Sequence, residues 1–147
     1  MQNMSRQNST VDLNDDVDRF RFLCEVLDEL KDLTKDHVIL IEGKNDRASL
    51  ERLIGKDFRS IEVQKEGGPL VAADRFIGTA DKAVILTDWD RKGRIIAEDL
   101  MTYLRSNDVE FDTEIRRKLA LVSKKDIKDV EKLYKLYDRL SEYASMH

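Results

Sequence analysis

The chain has 147 residues, with 26 lysines and arginines against 30 aspartates and glutamates, a formal charge of −4. That length suits one domain; its 41% apolar residues can build a core unaided, because the single cysteine (Cys24) allows no internal disulfide and no Cys/His array points to zinc. The longest apolar runs, such as Val38–Ile41 and Ala83–Leu86, fall far short of the ~20 residues of a membrane span, and the polar first ten residues lack a signal-peptide core, so a cytoplasmic protein with no membrane partner is expected.

Residues 1–14 are polar and aperiodic and are expected to form a disordered arm ahead of a single domain over 15–147. Val17, Phe20, Leu23, Leu27 and Leu30 recur at helical spacing, predicting a helix from about Asp15 to Leu33, with Cys24 as a small buried hydrophobe at its border. His37–Ile41 is short and β-branched, a buried strand ending at Glu42-Gly43. Asn45 is a candidate cap for the next helix, which carries Ala48, Leu50, Leu53 and Ile54 and stops at Gly55. A second strand is predicted at Ser60–Gln64, and a helix from Pro69 to about Thr79. Ala83–Thr87 reads as a third buried strand ending at Asp88-Trp89-Asp90, followed by a helix over Arg91–Arg105. Asp108–Ile115 has no clear pattern. Lys118–Val122 reads as a fourth strand, and Ser123 with Asp126 as a capping box opening a last helix with Ile127, Val130, Leu133, Tyr134, Tyr137 and Leu140 on one face. Strands alternating with helices imply an α/β domain. Its sheet should be four-stranded and mostly parallel, with helices on both faces and further helices at the N- and C-terminal ends.

Ligands of an open parallel sheet bind beyond the carboxyl ends of the strands. Two predicted strands end there in carboxylates, Glu42 after the first and Asp88 and Asp90 after the third. Residues two apart in extended chain point the same way, so Asp88 and Asp90 present two hard oxygen ligands suited to Mg²⁺, with Glu42 placed to move a proton. Asp90 also suits a simple helix cap before Arg91, and residue spacing leaves both roles open.

These residues carry a resemblance. Val38-Ile-Leu-Ile-Glu42-Gly43-Lys44-Asn45-Asp46 resembles the first motif of Toprim domains, and Ile85-Leu-Thr-Asp88-Trp-Asp90-Arg91-Lys92-Gly93-Arg94 resembles the second. The likeness covers about residues 36–122. It is greatest to single-domain members, the ribosomal-RNA maturases and the archaeal small primase-like proteins, the latter also through Arg116-Arg117-Lys118-Leu119 and Val130-Glu131-Lys132-Leu133. The resemblance implies Glu42 as general acid or base, and Asp88 and Asp90 as holders of Mg²⁺ or Mn²⁺. Asp46 matches a further acidic position of some nuclease members, although an acid in a helix's first turn also meets the helix dipole without any ion.

Arg91, Lys92 and Arg94 are the best candidates for substrate phosphates, since cations at a helix N-terminus oppose the dipole and need an offsetting charge. Lys44 is a further candidate, equally readable as a solvated loop lysine. Trp89 should point away from the two aspartates and pack against a helix. The histidines, His37 at the wrong end of its strand and His147 at the terminus, support no histidine mechanism.

The expected chemistry is Mg²⁺-dependent phosphodiester hydrolysis, a small nuclease acting on structured RNA in preference to DNA. The alternatives are a non-catalytic nucleic-acid-binding adaptor of replication or repair and primase-like nucleotidyl transfer. The net charge does not oppose a nucleic-acid partner, because it is unevenly placed. Residues 12–32 hold eight acids and three bases, whereas residues 91–125 hold nine bases and six acids, and phosphate binding follows the local field.

Overall fold

The computed structural model describes residues 11–147. Helix α1 is Asp16–Leu33, and it buries Phe22, Leu23, Val26, Leu27 and Leu30 as one stripe. Its cap is Asp15, whose carboxylate accepts from the Val17 N–H at 2.9 Å. Strand β1 (His37–Ile41) leads to α2 (Lys44–Ile54) and β2 (Ser60–Glu62). Two short helices, α3 (Val63–Glu66) and α4 (Pro69–Asp74), precede β3 (Lys82–Ile85). The chain continues through α5 (Arg91–Ser106), β4 (Phe111–Asp112), α6 (Glu114–Ser123) and α7 (Leu133–Met146).

All four strands are parallel, in the order β2-β1-β3-β4. Because successive side chains alternate across a strand, the sheet supplies two cores. Ile39, Ile41, Val84 and Leu86 pack with the buried residues of α1, α2, α6 and α7. Val38, Leu40, Ala83 and Ile85 pack on the opposite face with Ala72, Ala73, Ala97, Leu100 and Leu104. From β1 the chain moves outward to β2, then crosses back to β3 on β1's other side, so the strand order switches direction between β1 and β3. The carboxyl ends at such a switch form a crevice.

Several boundaries differ from the sequence reading. Lys118–Val122 is not a strand but the second half of α6; the fourth strand is the two-residue β4, inside the segment without a pattern. Ser123 ends α6 rather than opening α7: its hydroxyl donates to the Leu119 carbonyl. Residues 124–132 form turns, and α7 begins at Leu133. Strand β2 stops at Glu62, α4 stops at Asp74, and β3 runs from Lys82 to Ile85. Gly43, not Asn45, occupies the cap of α2, and Asn45 is its second residue. Cys24 is only partly buried. The first ten residues of the expected arm lie outside the described ones; Val11 and Leu13, in its last four, pack against the α1 side of the core.

The 124–132 segment is held from both sides. Arg19, fully buried in α1, donates twice to the Val122 carbonyl, at 3.1 and 2.8 Å, and pairs with Asp16 and Asp126. Asp126 also accepts from Arg139 of α7 at 3.0 Å. On its other side the segment receives the Trp89 N–H at the Lys128 carbonyl (2.9 Å) and the Trp89 indole N–H at the Ile127 carbonyl (3.0 Å). A buried guanidinium with each nitrogen donating to an acceptor and two carboxylates beside it escapes much of the usual penalty of burying charge. It fixes this crossing over the carboxyl ends of the strands.

Candidate active site

Glu42 and Asp88 follow neighbouring parallel strands, and the fold brings them together. The buried Glu42 carboxylate accepts the Asp88 N–H through Oε2 at 2.7 Å. Asp88 in turn accepts the Val130 N–H from the 124–132 segment through Oδ1 at 3.0 Å. Asp46, also buried, accepts the Gly43 N–H through Oδ2 at 3.1 Å, the capping contact expected of an acid in the first turn of α2. Asp90 caps α5, accepting the Gly93 N–H through Oδ1 at 2.7 Å. Each of the four carboxylates thus accepts a backbone N–H, and the Glu42 and Asp88 carboxyl groups also lie within reach of a hydrogen bond to each other.

Burial dominates the electrostatics. The Asp88 carboxyl is pushed up to about 7, first by desolvation and then by the Glu42 and Asp46 charges, against the pull of the Val130 N–H. Asp46 is pushed up to about 6, again first by burial, with Glu42 and Glu131 adding and the Gly43 N–H opposing. Both folded values lie above the ~4 of an unfolded carboxyl, so ionising these groups opposes folding. The stability involved is fully present below pH ~4 and is lost as pH rises through about 6 and 7. With EDTA present, the protein is therefore expected to melt lower at pH ~8 than at pH ~5, with Asp88→Asn flattening the difference. Added Mg²⁺ should raise the melting temperature more at the higher pH. Melting temperatures independent of pH in wild type would contradict this.

Among the described residues, no three acidic, histidine or cysteine side chains converge as a closed metal cage. The donor set still suits Mg²⁺, which takes one or two protein carboxylates and completes its octahedron with water and phosphate oxygens. A cation placed against Asp88 and Asp90 would also relieve the repulsion that raises Asp88.

The sequence reading gave Arg116 no role at the site, naming it only within the segment that resembles the archaeal small primase-like proteins. From α6 its guanidinium donates Nε to the Thr87 carbonyl at 2.9 Å and Nη2 to the Asp88 carbonyl at 2.6 Å. Burial lowers its pKa, while Glu42, Asp88 and Asp90 hold its charge in place. It is the half-buried cation of the cluster. A signal was present: Ile115, Leu119 and Val122 form the buried stripe of α6, and Arg116 flanks it, but only the pairing of β4 with β3 brings α6 to this crevice.

Arg91, Lys92 and Arg94 occupy the first turn of α5 and are exposed. Arg94 lies 3.8 Å from Glu98, whereas Arg91 and Lys92 make no ion pair among the described residues. Lys44 is likewise exposed, at the first position of α2. Trp89 packs into the α1-side core. Gly93 is buried against the strand end, and a Cβ there would lie 1.9 Å from the Asp88 carbonyl oxygen.

A family model described as the Toprim domain matches residues 37–122, from the start of β1 into α6. The chain is 38% identical over 116 residues to a UPF0292 protein of Pyrococcus horikoshii, covering 79% of this chain and 84% of that one. It is 39% identical over 118 residues to a UPF0292 protein of Methanosarcina barkeri, covering 79% and 80%. Among solved structures it is similar to a protein from Aquifex aeolicus, with a TM-score of 0.61 and 28% identity over 74% of this chain and 94% of that chain. No helix among the described residues is long and apolar enough to cross a membrane.

Proposed function

We propose, from the premise that this chain belongs to the Toprim domain family and shares it with UPF0292 proteins of archaea, that it hydrolyses phosphodiester bonds of structured RNA at the carboxylate crevice. A Toprim domain implies a metal-dependent function on nucleic acid, and such domains generally bind Mg²⁺. The observation that carries the reading is the joining of Glu42 to Asp88 across the β1/β3 switch point, with Asp46, Asp90 and Arg116 around them. Asp88 and Asp90, with Asp46 behind them, would hold the ion; when bound, it supplies Lewis-acid polarisation of the phosphate.

The remaining chemistry belongs to the chain. Hydrolysis forms a bond between a water oxygen and phosphorus and breaks the bond from phosphorus to one ribose oxygen. A proton leaves the water and one reaches the leaving oxygen. Glu42 is the group for that transfer, because the Asp88 N–H holds its carboxylate at the crevice beside Asp88. Arg91, Lys92 and Arg94, exposed on the first turn of α5, hold backbone phosphates, and Lys44 adds a charge from the α2 side. The lean towards RNA rests on the likeness to single-domain ribosomal-RNA maturases.

The test is incubation of total cellular RNA with wild type and with Asp88→Ala and Asp88→Asn, in Mg²⁺, Mn²⁺ or EDTA, with product ends mapped. Metal-dependent cleavage by wild type and none by either variant is expected. Cleavage that survives in Asp88→Asn would remove the site. Nucleic-acid binding indifferent to metal, with no turnover over RNA and DNA panels, would make the protein a binding adaptor. Template-dependent nucleotide incorporation would make it primase-like.

A further inference from the structure

We propose that the groove between α2 and α7 receives one unpaired nucleobase of the substrate, guanine in preference to the others. This rests on reading the neighbouring crevice as a phosphodiester site, and it adds where the substrate's sequence is read. The groove measures about 300 Å³ and is lined by Asn45, Ala48, Ser49, Arg52, Glu131 and Tyr134. It adjoins the carboxylates through the chain itself. Asn45 precedes Asp46, and Glu131 follows Val130, whose N–H donates to Asp88. The Glu131 charge is felt at Asp46.

Its chemistry fits a base better than a phosphate. The Arg52 guanidinium lies over the Tyr134 ring, 4.2 Å from its centroid, and Arg52 is 61% exposed. The outer face of that plane is a stacking platform, and unpaired bases stack on aromatic rings and on arginine planes. Arg52 is only loosely neutralised, 3.7 Å from Asp138. The Glu131 carboxylate is exposed and only 3.5 Å-bonded to the Asn45 amide, so both keep hydrogen-bonding capacity. Ser49 is 1% exposed, and its oxygen accepts the Tyr134 N–H at 3.4 Å. Its hydroxyl hydrogen has no acceptor among the described residues, a donor left over at the groove floor. An anionic phosphate would meet Glu131 and the Asp46 carboxyl behind it. A base edge meets one carboxylate, one amide and one hydroxyl donor. Guanine presents two parallel N–H donors on its Watson–Crick edge, the match for a carboxylate, where adenine, cytosine and uracil present one.

The groove and the basic first turn of α5 lie on opposite faces of the sheet, because α2 packs into the α1-side core and α5 into the other. A strand gripped at Arg91–Arg94 therefore crosses the carboxylates before its base reaches Arg52.

The experiment is calorimetric or NMR titration of the full chain with guanosine 5′-monophosphate in EDTA, against the adenosine, inosine and uridine monophosphates. Guanosine monophosphate should bind most tightly, with inosine, lacking the second donor, weaker. Arg52→Ala and Glu131→Gln, both at exposed positions, should each weaken it about 10-fold in chains that remain folded at the titration temperature. Equal binding of all four nucleotides overturns the proposal, as does no binding. Binding that survives both groove variants and disappears in Arg91→Ala overturns it too, placing the nucleotide on the basic turn through its phosphate. Since no turnover is required, guanine binding here with no RNA cleavage would sink the nuclease reading and leave the groove standing.

Discussion

Gly93→Ala is expected to lower the melting temperature sharply and to abolish metal-dependent cleavage, although helix propensity alone predicts a gain of ~0.5–1 kcal/mol from alanine. Gly93 is the third residue of α5, and an added Cβ would lie 1.9 Å from the Asp88 carbonyl oxygen, 2.5 Å from its carbon and 2.9 Å from its Cα. These are backbone atoms, so no rotamer change relieves the contact. The strand end must move from the helix, and it is tied elsewhere: the Gly93 N–H donates to Asp90 and the Gly93 carbonyl accepts the Thr87 hydroxyl at 2.7 Å. Overpacking against such a frame costs at least the ~1–3 kcal/mol of an ordinary core enlargement. It also displaces Asp88 from Glu42, so the loss of activity should exceed what reduced stability alone explains at temperatures where the variant is folded. Denaturant melts and cleavage rates at low temperature measure both, and wild-type values for either would show that helix and strand end are not in close apposition.

The same contact shows what a sequence can disclose. The buried strands were legible because Val38–Ile41 and Ala83–Leu86 are short, apolar and β-branched, and the carboxylates that follow sit where parallel sheets place their ligands. The joining of Glu42 and Asp88 follows from the pairing of β1 with β3, which alternation of elements alone does not fix. Residues 108–132 were misread or left unassigned for physical reasons. Lys-Leu-Ala-Leu-Val at 118–122 looks like a strand when viewed alone, and the helical stripe appears only when Ile115 is joined to Leu119 and Val122. A two-residue strand such as β4 has no period to detect. Ser123 and Asp126 satisfy the spacing of a capping box, but tertiary partners claim them, Leu119 for the serine and Arg19 and Arg139 for the aspartate. Arg116 was hidden for the same reason. Its role depends on which strand its helix follows, information carried by topology rather than by local pattern.

Glu42→Gln and Glu42→Ala should separate chemistry from architecture. Glutamine keeps a carbonyl oxygen where Oε2 accepts the Asp88 N–H at 2.7 Å, so the strand ends stay joined, but it cannot carry a proton at neutral pH. Its cleavage rate should fall about 10²- to 10⁴-fold, the range for loss of a positioned acid or base. Stability in EDTA should hold or rise, because one of the charges that raise the Asp88 pKa is gone. Alanine should lose as much activity and also about 1–3 kcal/mol of stability, since the N–H on the next strand end is left without its acceptor. Mg²⁺ binding, followed by calorimetry, should persist in Glu42→Gln and fail in Asp88→Asn. A glutamine variant that cleaves at the wild-type rate would remove Glu42 from proton transfer and reduce it to a hydrogen-bond acceptor that orients Asp88. Equal stability of the two variants would instead mean that the Glu42–Asp88 contact contributes nothing to holding β1 and β3 together at the crevice.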